Sequence, residues 1–258
     1  MPQELRLLVL VVLCVVSLNC LVTSSVTSSY YEHSRRLLDR ILVPSFNSTS
    51  KITHTSSKLR ASSNQGGGHI PHVDPDQYGD SKIHFFTDWT TDLKDGCRNL
   101  GCVGFVPVNF AKITPGDTLD PSSGQINITL KIFKSKEDGD WWLHFGHDIN
   151  NLNPVGYWPK SLLPNMQDHA GNILWWGTTN SDNGQISPPM GNGQWPRSNS
   201  AASFKNVQYV DINGQGYDPP GGSLHVFETH RKCYRTGVFR LQVQGNMFYY
   251  GGPGGCTS

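Results

Sequence analysis

Short runs of apolar, β-branched and aromatic residues, separated by turn-forming residues, dominate the chain from about residue 70 onward. In INITLKIF, residues 126–133, isoleucine or leucine occupies every second position up to residue 132. This two-residue period predicts a strand with one buried face. Turn sequences such as EDGD, INGQG and DPPGG separate the other runs. The pattern predicts roughly eight to ten short strands and one short helix, bracketed by prolines, in residues 158–169.

Composition agrees with an all-β fold. Charged residues make up 16% of the 258 residues, whereas the chain contains 27 Gly and 16 Pro. This mixture suits strands joined by tight turns and disfavours a helical bundle. We therefore expect an antiparallel β-sandwich. The formal net charge of +1 does not favour binding to nucleic acid or to an anionic membrane. We expect neither as a partner, and we expect a monomer.

The N-terminus has the features of a secretory signal. An apolar run, LLVLVVLCVVSL, follows Arg6, and small residues follow near Ser24. This predicts a signal peptide over residues 1–24 and a secreted, extracellular protein of the apoplast or cell wall. An uncleaved anchor is the alternative, although Asn19 interrupts the run. Residues 25–68 are polar and predict a flexible arm, followed by a domain over residues 69–258.

Secretion gives the cysteines a structural meaning. Removal of the signal leaves four cysteines, which in an oxidising compartment predict two disulfides. Their spacing favours Cys97–Cys102 and Cys233–Cys256 among three connectivities. Zinc is the alternative, but CRNLGC lacks the spacing of a zinc knuckle. Two sequons predict possible glycans, on Asn47 and on Asn127, the second in the middle of a predicted strand.

No catalytic group is evident from the residues alone. GxSxG, HExxH and GxxxxGK[ST] do not occur in the sequence. The chain therefore lacks the usual motifs of serine hydrolases, zincins and P-loop proteins. Most acidic residues fall in turns, where they usually serve solvation. We expect no metal and no cofactor. A glycosidase that uses some of these acids is a third possible function.

Several long motifs nevertheless resemble the neprosin family of plant secreted prolyl endopeptidases, which are glutamic peptidases. The resemblance spans about residues 73–256, and the matching stretches are VDPDQYGD (73–80), FFTDWTTD (85–92), GCRNLGCVGFV (96–106), DWWLHFG (140–146), VGYWPKSL (155–162), MGNGQWP (190–196), ASFKNVQYVD (202–211) and NMFYYGGPGG (246–255). It implies a β-sandwich with a long cleft and the two disulfides favoured above. It also implies that N-terminal strands of the family's fold are missing from this chain.

The resemblance implies two catalytic glutamates, which this chain lacks. The family positions fall on Gly68 and on Thr178, or on Thr179 if the alignment slips by one, and neither glycine nor threonine exchanges protons at neutral or acidic pH. We therefore expect little or no peptidase activity. The alternative is a non-catalytic protein that binds proline-rich peptide or a cell-wall polysaccharide in the retained cleft. The cleft candidates are Trp175, Trp176, Gly177, Trp142 and Tyr78. Because neighbouring residues of a strand face opposite ways, about half of the tryptophans should instead be core.

Overall fold

The computed structural model describes residues 56–61, 65–72, 74–91, 95–119, 127–170, 173–179, 181, 184–219, 224–238 and 246–257. Within these residues, β-strands dominate. The strands are β1 (Ser56–Ala61), β2 (Gln65–His72), β3 (His84–Thr91), β4 (Asp95–Arg98), β5 (Val106–Pro107), β6 (Thr129–Lys134), β7 (Trp141–Gly146), β8 (Asn153–Trp158), β9 (Ile173–Thr178), β10 (Ala202–Lys205), β11 (Tyr209–Val210), β12 (Gly216–Tyr217), β13 (Arg235–Thr236) and β14 (Met247–Gly251).

Helical structure is short. Helix α1 (Pro75–Tyr78) has four residues, and two 3-10 turns cover Lys160–Leu162 and Pro164–Met166. Both 3-10 turns lie in the stretch where the prolines predicted a helix of one or two turns. Proline at position 164 supplies no backbone N–H, so the segment forms two short turns rather than one continuous helix.

Two antiparallel sheets form the sandwich. The first has five strands in the order β4-β3-β2-β1-β9, and the second has four in the order β5-β8-β7-β6. Their facing sides meet in a core of large apolar side chains, which includes Phe85 of β3 and Trp141 and Leu143 of β7. The all-β prediction is confirmed.

The alternation predicted for residues 126–133 is also confirmed where the structure describes it. Ile128, Leu130 and Ile132 pack against the core cluster. The strand itself begins at Thr129, so Asn127 lies just before it, with an exposed side chain. The prediction that this sequon is in mid-strand was wrong, because regular pairing starts two residues later. Asn47 lies outside the described residues.

The C-terminal third adds two small sheets. One has the order β10-β14-β13, and the other is the hairpin β11-β12. A second apolar cluster, centred on Met190, Ala202 and Tyr250, packs around the first of these small sheets. The predicted disulfides Cys97–Cys102 and Cys233–Cys256 are both present.

The five-stranded sheet begins earlier in the chain than composition suggests. Strand β1 lies entirely within residues 25–68, the segment expected to be a polar arm, and it pairs with β2 on one side and β9 on the other. Strand pairing uses backbone N–H and C=O groups, which every residue except proline supplies in full. A polar segment can therefore form an inner strand of a sheet although its sequence has no hydrophobic period that predicts a strand.

Candidate functional site

Gly68 and Thr178, on which the resemblance places the two family glutamates, lie on one face of the five-stranded sheet. Ile173 of β9 and Phe85 of β3 belong to the core side. Because side chains alternate along a strand, Thr178 lies on the other side from Ile173. Gly68 is paired with Asp88 of β3, which lies on the other side from Phe85. We call this second side the outer face of the five-stranded sheet.

The strand register shows how far apart the two positions are. Thr178 pairs with Ser56 of β1, and Ser56 also pairs with His72 of β2. Gly68 precedes His72 by four residues, which corresponds to about 13 Å along the strand. The two positions therefore share a face but are neither on adjacent strands nor at the same level.

A hydrogen-bonded network lies at the same level as Thr178, on the far side of β1 and β2. His84 of β3 pairs with His72 and is buried, with 7% of its surface exposed. The ring of Tyr78 stacks on the His84 ring, with centroids 3.9 Å apart and planes 6° apart. Thr178 and the Tyr78–His84 stack thus lie at one level of the outer face.

Both nitrogens of the His84 ring face oxygen acceptors. Nδ1 lies 2.7 Å from the carbonyl oxygen of Gly116, and Nε2 lies 3.0 Å from Oδ1 of Asp80. The hydrogen bond from His84 lowers the pKa of Asp80 below its usual range, and the backbone N–H of Lys82 acts in the same direction. This carboxylate therefore serves as the partner of His84.

Tyr78 is held by a further contact from the loop after β4. The side-chain amide of Asn99 donates a hydrogen bond of 2.9 Å to the Tyr78 hydroxyl. Burial raises the pKa of Tyr78, and this effect outweighs the hydrogen bond from Asn99, which lowers it. The phenol therefore remains neutral at acidic and neutral pH. These contacts hold Tyr78 and His84 in fixed positions at this level of the outer face.

The predicted cleft tryptophans do not lie together. Trp176 is on the outer face but only 4% exposed, whereas Trp175 is on the core side of the same strand and partly exposed. Gly177 is buried between Trp176 and Thr178. Trp142 lies in the four-stranded sheet, on the side away from the core, because its neighbour Trp141 is in the core. Trp176 and Thr178 thus share the outer face of β9, whereas Tyr78 packs on His84 three strands away on the same face. Trp142 lies on the other sheet.

Sequence reasoning identified Tyr78 but not its partners. His84 and Asn99 carried no signal of their own, and Asp80 was grouped with the other turn acids. The available signal was position: Asp80 lies in the stretch VDPDQYGD, Asn99 lies in GCRNLGC, and His84 follows Asp80 by four residues. The described residues contain no group of three or more His, Cys, Asp or Glu side chains that could hold a metal ion.

The comparison with known families decides the relationship. The family model named Neprosin matches residues 48–253 of the 258-residue chain. The chain belongs to the neprosin family. The neprosin match includes all fourteen described strands, from Ser56 to Gly251, and so includes β1. It also includes both positions, Gly68 and Thr178. No helix among the described residues is long and apolar enough to cross a membrane.

Proposed function

We propose that this chain is a secreted neprosin-family protein that has little or no peptidase activity. The observation that carries the proposal is the pair of residues, Gly68 and Thr178, at the positions of the family's glutamates. The apolar run near the N-terminus and the two disulfides support a secreted, extracellular location. As a monomer without a cofactor, the protein would act through its own side chains alone.

The physical reason is proton supply. Peptide hydrolysis by a pair of carboxylates needs one group to accept a proton from water and another to donate one. Neighbouring carboxyls can share a proton, and this sharing makes such a pair effective in acid. Gly68 and Thr178, however, are two strands apart and about 13 Å apart in level along the strands, so side chains at these two positions are not neighbours. Glycine has no side chain and threonine does not ionise. Since each general acid or base contributes about 10²–10⁴ in rate, losing both leaves little besides binding.

A second function is supported by the parts of the site that remain. The Tyr78–His84 stack and Thr178 share one level of the outer face. The stack and Thr178 are three strand spacings apart, about 14 Å, a span that suits an extended proline-containing peptide whose apolar ring packs on the aromatic stack. We propose such a peptide as a ligand that is bound without being cleaved.

Cleavage assays at acidic pH test the proposal. The secreted protein would be incubated with a proline-containing peptide, in parallel with Gly68→Glu/Thr178→Glu and with the neutral control Gly68→Gln/Thr178→Gln. We expect no cleavage above background from the unmodified chain or from the glutamine variant. Cleavage by the glutamate variant alone would identify these two positions as the missing catalytic groups.

Two outcomes separate the alternatives. Cleavage by the unmodified chain at a rate above the glutamine variant would overturn the inactive assignment. Binding of the intact peptide by the unmodified chain, measured by isothermal titration calorimetry, would support the second function. Loss of that binding in Tyr78→Ala, with the fold preserved, would place the peptide on the outer face.

A further inference from the structure

Three aromatic side chains form a row across the four-stranded sheet, on the side away from the core. Phe133 of β6 pairs with Trp142 of β7, and Trp142 pairs with Tyr157 of β8. The neighbours Ile132, Trp141 and Trp158 all contribute to the core. Alternation therefore directs the three aromatic residues outward. We call Phe133, Trp142 and Tyr157 the aromatic row.

The aromatic row is partly exposed and closely spaced. The ring centroids of Trp142 and Tyr157 are 5.0 Å apart and their planes are tilted by 33°. Each of the three side chains keeps part of its surface accessible. At this separation the Trp142 and Tyr157 rings overlap partly face to face, and their exposed parts form one apolar surface against which a polymer can lie.

The central ring is fixed in place. The indole N–H of Trp142 donates a hydrogen bond of 3.1 Å to Oδ2 of Asp138, and Oδ1 of the same carboxylate accepts the backbone N–H of Asp140 at 2.8 Å. A ring that is already oriented loses little freedom on binding, which favours affinity. The hydrogen bond uses only the edge of the indole, and part of one face is turned toward Tyr157, so a ligand meets the part of the ring that stays exposed.

The surroundings of the aromatic row offer both donors and acceptors. Asp138 is exposed, and a carboxylate has about four sites that accept hydrogen bonds. Lys160 donates from its ammonium to the backbone carbonyl of Asp138 at 2.7 Å. The ring of His144 stands edge-on to Phe133 at 5.1 Å and to Trp142 at 6.4 Å. Burial and nearby Lys131 lower the pKa of His144, so the neutral ring has one donor and one acceptor.

We propose that the aromatic row binds a neutral polysaccharide, with pyranose rings stacked on Trp142 and Tyr157. A pyranose ring presents an apolar C–H face to an aromatic ring, and its hydroxyls both donate and accept hydrogen bonds. This matches a surface with rings at its centre and a carboxylate, ammonium and imidazole beside them. The surface carries charges of both signs, with Asp138 hydrogen-bonded to Trp142 and the Lys131 ammonium 4.9 Å from the Phe133 ring, which favours a neutral polymer over an anionic one. Proline-rich peptide offers mainly carbonyl acceptors, which the same carboxylate repels.

This site is independent of the peptidase question. The aromatic row and the outer face of the five-stranded sheet lie on opposite sides of the sandwich, with the core between them. A polysaccharide on the row would leave the Thr178 side of the molecule accessible. The inference therefore goes beyond the proposed function, and it stands whether or not the chain cleaves peptides.

Affinity electrophoresis tests the proposal with the full secreted chain. The protein would be run in native gels that contain a soluble mixed-linkage β-glucan, with polygalacturonate and a proline-rich peptide in separate gels. We expect retardation by the β-glucan, and a loss of affinity of roughly tenfold or more in Trp142→Ala. Tyr157→Ala should weaken binding less. Trp195→Ala removes a tryptophan that is 38% exposed and outside the row, so its affinity should be unchanged.

The controls keep each result interpretable. Circular dichroism and thermal unfolding establish that each variant is folded, and Trp142→Phe retains a ring if Trp142→Ala does not fold. Binding retained by Trp142→Phe and weakened by Tyr157→Ala supports stacking. The proposal is overturned by the absence of retardation in β-glucan, by equal loss in Trp195→Ala, or by row-dependent binding of polygalacturonate or proline-rich peptide alone.

Discussion

At the scale of single residues, Asn99 connects the short disulfide loop to the candidate site. Its side-chain oxygen accepts the backbone N–H of Thr87 at 2.9 Å, and its own N–H donates to the Thr87 carbonyl at 2.7 Å. Its amide nitrogen donates to the Tyr78 hydroxyl. The residue has a positive φ of 50°, which asparagine tolerates better than most residues. Asn99 thus supports Tyr78 from a backbone conformation that few side chains accept.

Replacing Asn99 should destabilise the protein by two separable effects. Asn99→Ala loses two side-chain hydrogen bonds, each worth about 1 kcal/mol. Alanine also tolerates positive φ less well than asparagine does, which costs up to about 1 kcal/mol more. We expect a loss of about 2–3 kcal/mol in the free energy of unfolding, measured by urea denaturation. Asn99→Gly should lose about 1 kcal/mol less, because glycine accepts positive φ. Equal losses in the two variants would contradict the conformational contribution.

The contact between Asp80 and His84 predicts a pH dependence. The pKa of Asp80 is lowered in the folded protein, chiefly by the hydrogen bond from His84. Its contribution to stability is therefore complete above the unfolded aspartate pKa of about 4, and it is lost as pH falls through the lower, folded pKa. Asp80→Asn should be less stable than the unmodified protein at pH 6, and the difference should shrink below about pH 4.

The measurement is the free energy of unfolding of both proteins from pH 7 to pH 3. Asp76→Asn is the matched control, since Asp76 is an exposed carboxyl in α1, four residues before Asp80. Its difference from the unmodified protein should stay near zero throughout. A constant difference between Asp80→Asn and the unmodified protein across this range would show that the carboxylate charge is not what stabilises His84.

At the scale of elements, β1 is the strand on which the five-stranded sheet depends. In the order β4-β3-β2-β1-β9, it connects β9 to the rest of the sheet. Six register pairs join β1 to β9, from Ser56–Thr178 to Ala61–Ile173. Without β1, both β2 and β9 would present unpaired backbone groups. Open edges of this kind are templates for aggregation.

Truncation tests the role of β1. A chain that begins at residue 62 should form soluble aggregates and elute in the void volume in size-exclusion chromatography. A chain that begins at residue 48, where the neprosin match starts, should elute as a monomer. The two proteins differ by only fourteen polar-rich residues, 48–61. Indistinguishable elution and unfolding free energies would show that β9 does not need this partner.

Sequence patterns predicted the elements with clear alternation and missed the ones without it. β6 has apolar residues at every second position, and β7 begins with an aromatic pair. The core that the two strands share was predicted from these patterns. β1 reads SSKLRA, which has no such period. Its place in the sheet depends on backbone pairing with β2 and β9, strands that are distant from each other in the sequence. A local pattern cannot report pairing of that kind.

At the scale of the whole molecule, the two sheets separate the aromatic residues into different environments. Trp141, Trp158 and Trp176 are buried, and Trp195 is 38% exposed. Trp142 and Trp175 are partly exposed. The expectation that about half of these six would be core is therefore confirmed. Their division also means that the molecule has two unlike surfaces, one around Thr178 and one along the aromatic row, with a common core between them.

The sequence by itself determined the all-β class, both disulfide pairs and the family. These follow from local periodicity, cysteine spacing and motif identity, which are properties of short segments. Only the tertiary structure decided that β1 joins β9 to the sheet, that His84 connects Tyr78 with Asp80, and that Trp142 lies on the opposite sheet from Trp176. Each of these depends on strand register and on which side of a sheet faces the core, and both are fixed by packing between residues far apart in the chain.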